Sequence, residues 1–257
     1  MTTKDLITLS HLTDGRIAPR TVFADFVALC ALYISNTLDF VHYEERSNAY
    51  DAVLAKYTDT EQQKLSDGLR ALITAVQKDM ETGQWDDRLG AAFQELGMSG
   101  KNGVVFTPPQ VARLMAQLTL DAAPELPPAG YFTLTDPACG SGVLLLASAE
   151  HIANAGFNLC RQLAVQAVDL NITCAQMAYV NLSLFGIPAV VIHGNTITQE
   201  EFSRWYTPAY LLENWIWRCP LPFGGKRSHS DELLKMATDP IYAALRSDHG
   251  PELDAAM

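Results

Sequence analysis

Seven consecutive residues, Asp136-Pro137-Ala138-Cys139-Gly140-Ser141-Gly142, constrain this chain more than any other segment. They lie between a short strand-forming run, Phe132-Thr133-Leu134-Thr135, and an apolar run that predicts a helix from about Val143 to Ala155. Strand, glycine-rich turn and helix in that order make the first half of a βαβ unit. The glycines let the backbone turn tightly and approach a ligand closely, where a parallel sheet opens its binding crevice. A dinucleotide fingerprint would need a third glycine at position 145, which is leucine. Asp136 instead sets a carboxylate at the strand's end, where a cationic amino-acid group could dock.

The alternation continues downstream. Leu163 to Val168 reads as a second strand ending at Asp169, followed by a helix from about Ile172 to Phe185 that stops at Gly186 with Pro188 beyond it. Ala189 to Ile192 reads as a third strand and Asn214 to Arg218 as a weaker fourth. Such alternation implies a parallel sheet with helices on both faces. The first hundred residues lack any run of period two. Phe23, Phe26, Val27, Cys30 and Ile34 recur at helical spacing, as do Leu65, Leu69, Leu72 and Val76. Asp67-Gly68 fits either a turn or a helix interior. A helical N-terminal domain over 1–98 is expected, joined through Gly97 to Gly103, with a core over 99–230 and a helical tail over 231–257.

A second segment has clear local physics. In Phe106-Thr107-Pro108-Pro109, Thr107 can cap a helix whose first positions are Pro108 and Pro109, with Val111, Leu114, Met115 and Leu118 as its apolar face. This helix start falls about thirty residues before the Asp136 turn. In that order and spacing the two segments resemble motifs X and I of the adenine-N6 DNA methyltransferases, especially the modification subunits of type I restriction systems. The resemblance covers roughly residues 99–227. It implies a shortened Rossmann-like methyltransferase core that uses S-adenosylmethionine. It assigns cofactor binding to Phe106, Thr107 and Pro108, which close over the methionine end, and to Asp136, Ala138, Gly140 and Gly142. Asp169 would accept the ribose hydroxyls and Asn195 would contact the adenine, whereas His193 reads as a packed or surface residue.

The resemblance breaks at the catalytic motif. The family ends its fourth strand in Asn/Asp-Pro-Pro-Phe/Tyr, whose side-chain and first-proline carbonyls accept hydrogen bonds from a flipped adenine's amino group. Here the corresponding residues are Pro220, Leu221, Pro222 and Phe223, and Gly224-Gly225-Lys226 fixes the register. Proline offers no side-chain acceptor. The family's later strands and target-recognition region have no counterpart in the 31 residues after Lys226. A four-stranded sheet would leave an edge to be covered by the N-terminal helices or by another chain.

Charge narrows the partners. The net charge is −11, with 9 basic and 15 acidic residues in 1–98 and 9 and 14 in 99–257. Counterion release drives DNA binding through basic patches, so either such a patch forms in three dimensions or a partner supplies the grip. The dispersal of Lys and Arg favours a protein partner or homo-oligomer, with weak DNA affinity alone. Five scattered cysteines without a Cys-x-x-Cys pair give no disulfide scaffold and no metal site, and suit a reducing cytoplasm. Val27 to Ile34 is far shorter than the ~20 residues of a membrane span. Two further readings stay open: a catalytically silent cofactor-binding or partner-binding module, and a methyltransferase acting on RNA or protein glutamine.

Overall fold

The computed structural model describes residues 1–98, 106–120, 124–219, 221 and 234–247. The N-terminal region forms α1 (Thr3–Ser10), α2 (Pro19–Ser35), α3 (Tyr43–Leu54), α4 (Asp59–Thr82) and α5 (Arg88–Glu95). Capping boxes at Thr2 and Thr58 fix the starts of α1 and α4. Gly68 sits inside α4 because the helix crosses close to Leu9 and Phe26, where a Cβ would press on both side chains. The apolar stretch from Val27 to Ile34 lies within α2, which is buried along most of its length.

Next come α6 (Pro109–Thr119), β1 (Phe132–Asp136), α7 (Val143–Asn154), α8 (Leu159–Gln162), β2 (Leu163–Asp169), α9 (Ile172–Leu184), β3 (Ala189–Asn195) and β4 (Glu200–Tyr206). α10 (Pro208–Leu212), α11 (Trp215–Arg218), a helical stretch over 234–238 and α12 (Pro240–Ser247) complete the described chain. Strand order is β1-β2-β3-β4, the first three parallel and β4 antiparallel. The β1-α7-β2 and β2-α9-β3 crossovers are the βαβ units that the sequence pattern implies.

Residues of β2 and β3 are apolar on both faces, as strands covered on both sides must be. Leu163, Val165, Ala167, Ala189 and Val191 join one core, which runs without interruption into Phe23, Phe26, Leu72 and Phe93 of the N-terminal helices. Ala164, Val168, Val190 and Ile192 face a second core with Tyr206, Tyr210, Trp215, Met236 and Tyr242. The C-terminal helices therefore cover the face opposite α2, α7 and α9. β1 alternates buried and open positions, with Thr133 and Thr135 exposed. Among the described residues it has one strand neighbour, β2.

Three local expectations are corrected. Asn214 to Arg218 is not a strand: Asn214 is left-handed with φ of 55°, and α11 follows. Adjacent Trp215 and Ile216 are both buried in the second core, which a helical turn permits and a strand with one covered face does not. The fourth strand is instead β4. At α6, Pro108 is the N-cap and Pro109 the first helical residue, and Thr107 makes no capping bond. The face of α6 is also reversed. Ala112 and Ala116 pack against Val143 and Ala147 of α7, while Leu114 and Leu118 are 54% and 76% exposed, with Val111 and Met115 also open. Small residues let two helix backbones approach closely, and that contact decides the orientation. Residues 231–233, at the start of the expected tail helix, lie outside the described residues.

Candidate functional site

The carboxyl ends of β1 and β2 bring two carboxylates to one rim. Asp136 ends β1 and pairs in register with Ala167, so Asp169, at the end of β2, projects two residues further. The turn after β1 is pinned to β2 twice. Cys139 donates its amide to the Val168 carbonyl at 2.9 Å, and Gly140 donates its amide to Asp169 Oδ2 at 2.8 Å. Gly140 and Gly142 have φ of 55° and 84°, a region that an L side chain occupies only with strain. A Cβ on Gly140 would also come within 3.3 Å of the Phe106 ring, so that glycine is needed for close approach as well.

Asp136 Oδ1 accepts the Ala138 amide at 3.0 Å. Its other oxygen has no hydrogen-bond partner among the described residues. Asp169 Oδ1 accepts the Asn171 amide at 2.8 Å, and the Asn171 side chain caps α9. Both Asp169 oxygens thus hold backbone donors, with lone pairs to spare for further ones. Burial pushes both carboxyls above their ordinary range. For Asp169 two backbone donors pull the other way and the charge of Asp136 adds to the rise. Cys139 is driven well above its usual value by burial and is no nucleophile.

Phe106 is buried over the turn, its ring 5.2 Å from that of Phe93. Thr107 is half-buried, and Pro108 and Ala138 are exposed beside it. Asn195, at the end of β3, turns its Oδ1 onto the amides of Ile197 and Thr198 at 2.9 and 3.2 Å, shaping the β3–β4 connection. Thr196 then donates to the Pro137 carbonyl at 2.6 Å, tying this connection to the cofactor-type turn. His193 packs against Phe202 at 5.0 Å, and burial lowers its pKa. Exposed Leu170, directly after Asp169, adds apolar surface to the rim.

Leu221 stands apart from this rim. Its carbonyl accepts from Gln166 Nε2 at 3.2 Å and Arg204 Nη1 at 3.4 Å, over the second face of the sheet. Gln166 lies three residues before Asp169 on β2, about 10 Å along the strand. Pro220, Pro222 and Phe223 lie outside the described residues.

Asp87 was missed in the sequence. It is buried at the N-cap of α5 and accepts from the Gly90 amide at 2.8 Å, Asn181 Nδ2 at 2.9 Å and Ser141 Oγ. Asn181 Nδ2 also donates to the Ser141 carbonyl at 2.9 Å. A Cβ at Gly90 would collide with both Asp87 and Ser141. One buried carboxylate therefore clamps the N-terminal helices to the turn between Gly140 and Gly142. Its signals were Asp87 three residues before Gly90 at a helix start, and Asn181 inside the otherwise apolar α9.

Among the described residues no group of His, Cys, Asp and Glu could hold a metal ion, and no helix is long and apolar enough to cross a membrane. No curated protein sequence matches the chain. A crystal structure of a type I restriction-modification system methyltransferase subunit from Streptococcus thermophilus is similar at 18% identity and a TM-score of 0.35. The match covers 73% of this chain and 57% of that subunit. The family model for N-6 DNA methylase matches residues 93–237, more than half of the chain, and takes in both glycine-turn and Phe106 segments. The chain belongs to the N-6 DNA methylase family.

Proposed function

We propose that the crevice at the ends of β1 and β2 binds S-adenosylmethionine, and that this chain by itself stops at binding. The observation that carries the reading is the Gly140 amide held on Asp169, which joins the glycine turn and the second carboxylate into one site. The residues fit the cofactor chemically. The open oxygen of Asp136 suits the ammonium group, and Asp169 keeps lone pairs for the ribose hydroxyls. Asn195 spends its carbonyl on the turn and keeps its amide nitrogen for the adenine. Phe106, Thr107 and Pro108 line the methionine side. Bound there, the cofactor would supply an electrophilic methyl group on a sulfonium.

Calorimetric titration with S-adenosylmethionine should show binding that Asp136→Ala weakens by at least about tenfold. The same titration should weaken on acidification. Carboxyls held above the ordinary aspartate value of 3.8 take up protons at higher pH, and the protonated site no longer attracts a cation. The loss therefore begins above that value. Equal affinity in wild type and Asp136→Ala would contradict the assignment.

The substrate class that the family implies is adenine in DNA. A catalytically silent, partner-binding role is favoured by the Leu221 carbonyl, whose acceptor positions are taken by Gln166 and Arg204. DNA affinity of the isolated chain is expected to be weak and salt-sensitive, since a charge of −11 opposes approach to phosphates. Tight, sequence-selective binding at about 150 mM salt without a partner would contradict that. A protein partner or second copy in a cytoplasmic setting belongs to the same reading.

A further inference from the structure

Among the described residues α6 is the one helix that exposes more than one large apolar side chain, and it exposes four. Val111, Leu114, Met115 and Leu118 stand at i, i+3, i+4 and i+7, so they form a single stripe along the helix. Each is at least 41% exposed. The other side of α6 is already occupied: Ala112 and Ala116 pack against α7, and Arg113 donates to Glu150 and to the Trp85 carbonyl. The stripe is what remains apolar and open once the chain has folded. A contiguous surface of that kind marks a contact with another macromolecule.

Charge selects the partner. The chain carries 29 acidic residues, yet none lies between Phe106 and Leu120. Two copies with a net charge of −11 each repel wherever their acids meet, so an acid-free face is where they can approach. DNA has little to hold there, because Arg113 is the segment's sole basic residue and is paired with Glu150 at 2.9 Å. The stripe also complements itself. In two α6 helices packed antiparallel about a two-fold axis, Val111 of one copy meets Leu118 of the other, and Leu114 and Met115 meet at the axis. Gln110 and Gln117, exposed and uncharged, border the seam as a polar rim. We propose that the α6 stripe is the surface through which two copies of this chain pair. Four side chains cover less than the ~800 Å² per partner of a standard interface, so the pair forms at micromolar concentrations and above. This deepens the second-copy part of the proposed function and is independent of cofactor binding.

Sedimentation equilibrium on the whole chain, without cofactor, reads the pairing. From about 1 to 300 µM the mass should rise from that of one chain toward that of two. Leu118→Glu, at a position 76% exposed, leaves the fold intact and should weaken the association at least about tenfold. Leu114→Cys should be joined to a second copy by a short bismaleimide to a greater extent than wild type, whose five cysteines set the background. Leu234→Cys, equally open but on another helix, should stay at that background. A single-chain mass over the whole range would overturn the proposal and leave the stripe to a foreign protein. A dimer unchanged by Leu118→Glu, or equal cross-linking at positions 114 and 234, would overturn it as well. Failure of S-adenosylmethionine binding would alter none of these outcomes, since no cofactor is present.

Discussion

Incubated alone with mixed genomic DNA and radiolabelled S-adenosylmethionine, this chain will incorporate no label into adenine. Methyl transfer to an exocyclic amine needs the nitrogen lone pair aimed at the methyl group, and acceptors on the two amino protons do the aiming. The family resemblance assigns that work to a side-chain carbonyl and to the carbonyl of the next residue. Position 220 is proline, with no side-chain acceptor. The Leu221 carbonyl holds Gln166 and Arg204 over the sheet's second face, about 10 Å along β2 from Asp169. Loss of one oriented hydrogen-bonding group costs about two to three powers of ten in rate, and here both are compromised. Pro220→Asn/Leu221→Pro should be equally silent, because the substitution restores an acceptor without moving residue 221 off Gln166. Incorporation by wild type that disappears in Asp136→Ala would show that another group aims the amine.

Replacing Asp87 by alanine should be the most damaging single change for the fold. Three donors, from Gly90, Asn181 and Ser141, converge on that one buried carboxylate. Burial pushes its pKa up, while the same donors pull it down. Removing it leaves buried donors without an acceptor, a loss of about 3 kcal/mol or more. Asp87→Asn should recover part of the loss, since its Oδ1 can still accept from Gly90 and Asn181 and its NH2 can donate to the Ser141 hydroxyl. Urea unfolding measures the loss directly. Because Ser141 sits in the glycine turn, cofactor affinity should fall as well, at temperatures where the variant is still folded. A variant within about 0.5 kcal/mol of wild type would show that the clamp contributes little.

The parts of this fold that were legible in the sequence are those with a strong period and a glycine stop. β2 and α9 fall within a residue of the expected spans, β3 starts where expected at Ala189 but runs three residues further to Asn195, and Gly186 ends the α9 segment with φ of 66°. The α6 face was misread because a stripe at i, i+3, i+4 and i+7 looks the same whether something covers it or not. Contact with Val143 and Ala147 selected the alanine side instead. β4 was hidden by its own composition. Glu-Glu-Phe-Ser-Arg-Trp-Tyr is apolar only at one end, and the hairpin depends on the Asn195 side chain and on Gln199 at φ of 58°. The glycine turn and Asp169 were readable as separate features. Their hydrogen bond was not, since it joins residues 29 apart in sequence. Asp87 was harder still, with partners up to 94 residues away.

The most direct test of the central claim is a backbone amide chemical-shift map of the isotopically labelled chain titrated with S-adenosylhomocysteine. Cofactor binding in the crevice predicts the largest saturable shifts at Gly140, Ser141, Gly142, Leu170 and Asn195, with α3 little changed. Asp136→Ala should abolish the shifts at the same concentration. A titration that leaves the Gly140 and Asp169 region unmoved at millimolar ligand, or that moves only residues elsewhere, would contradict the assignment of this crevice to the cofactor.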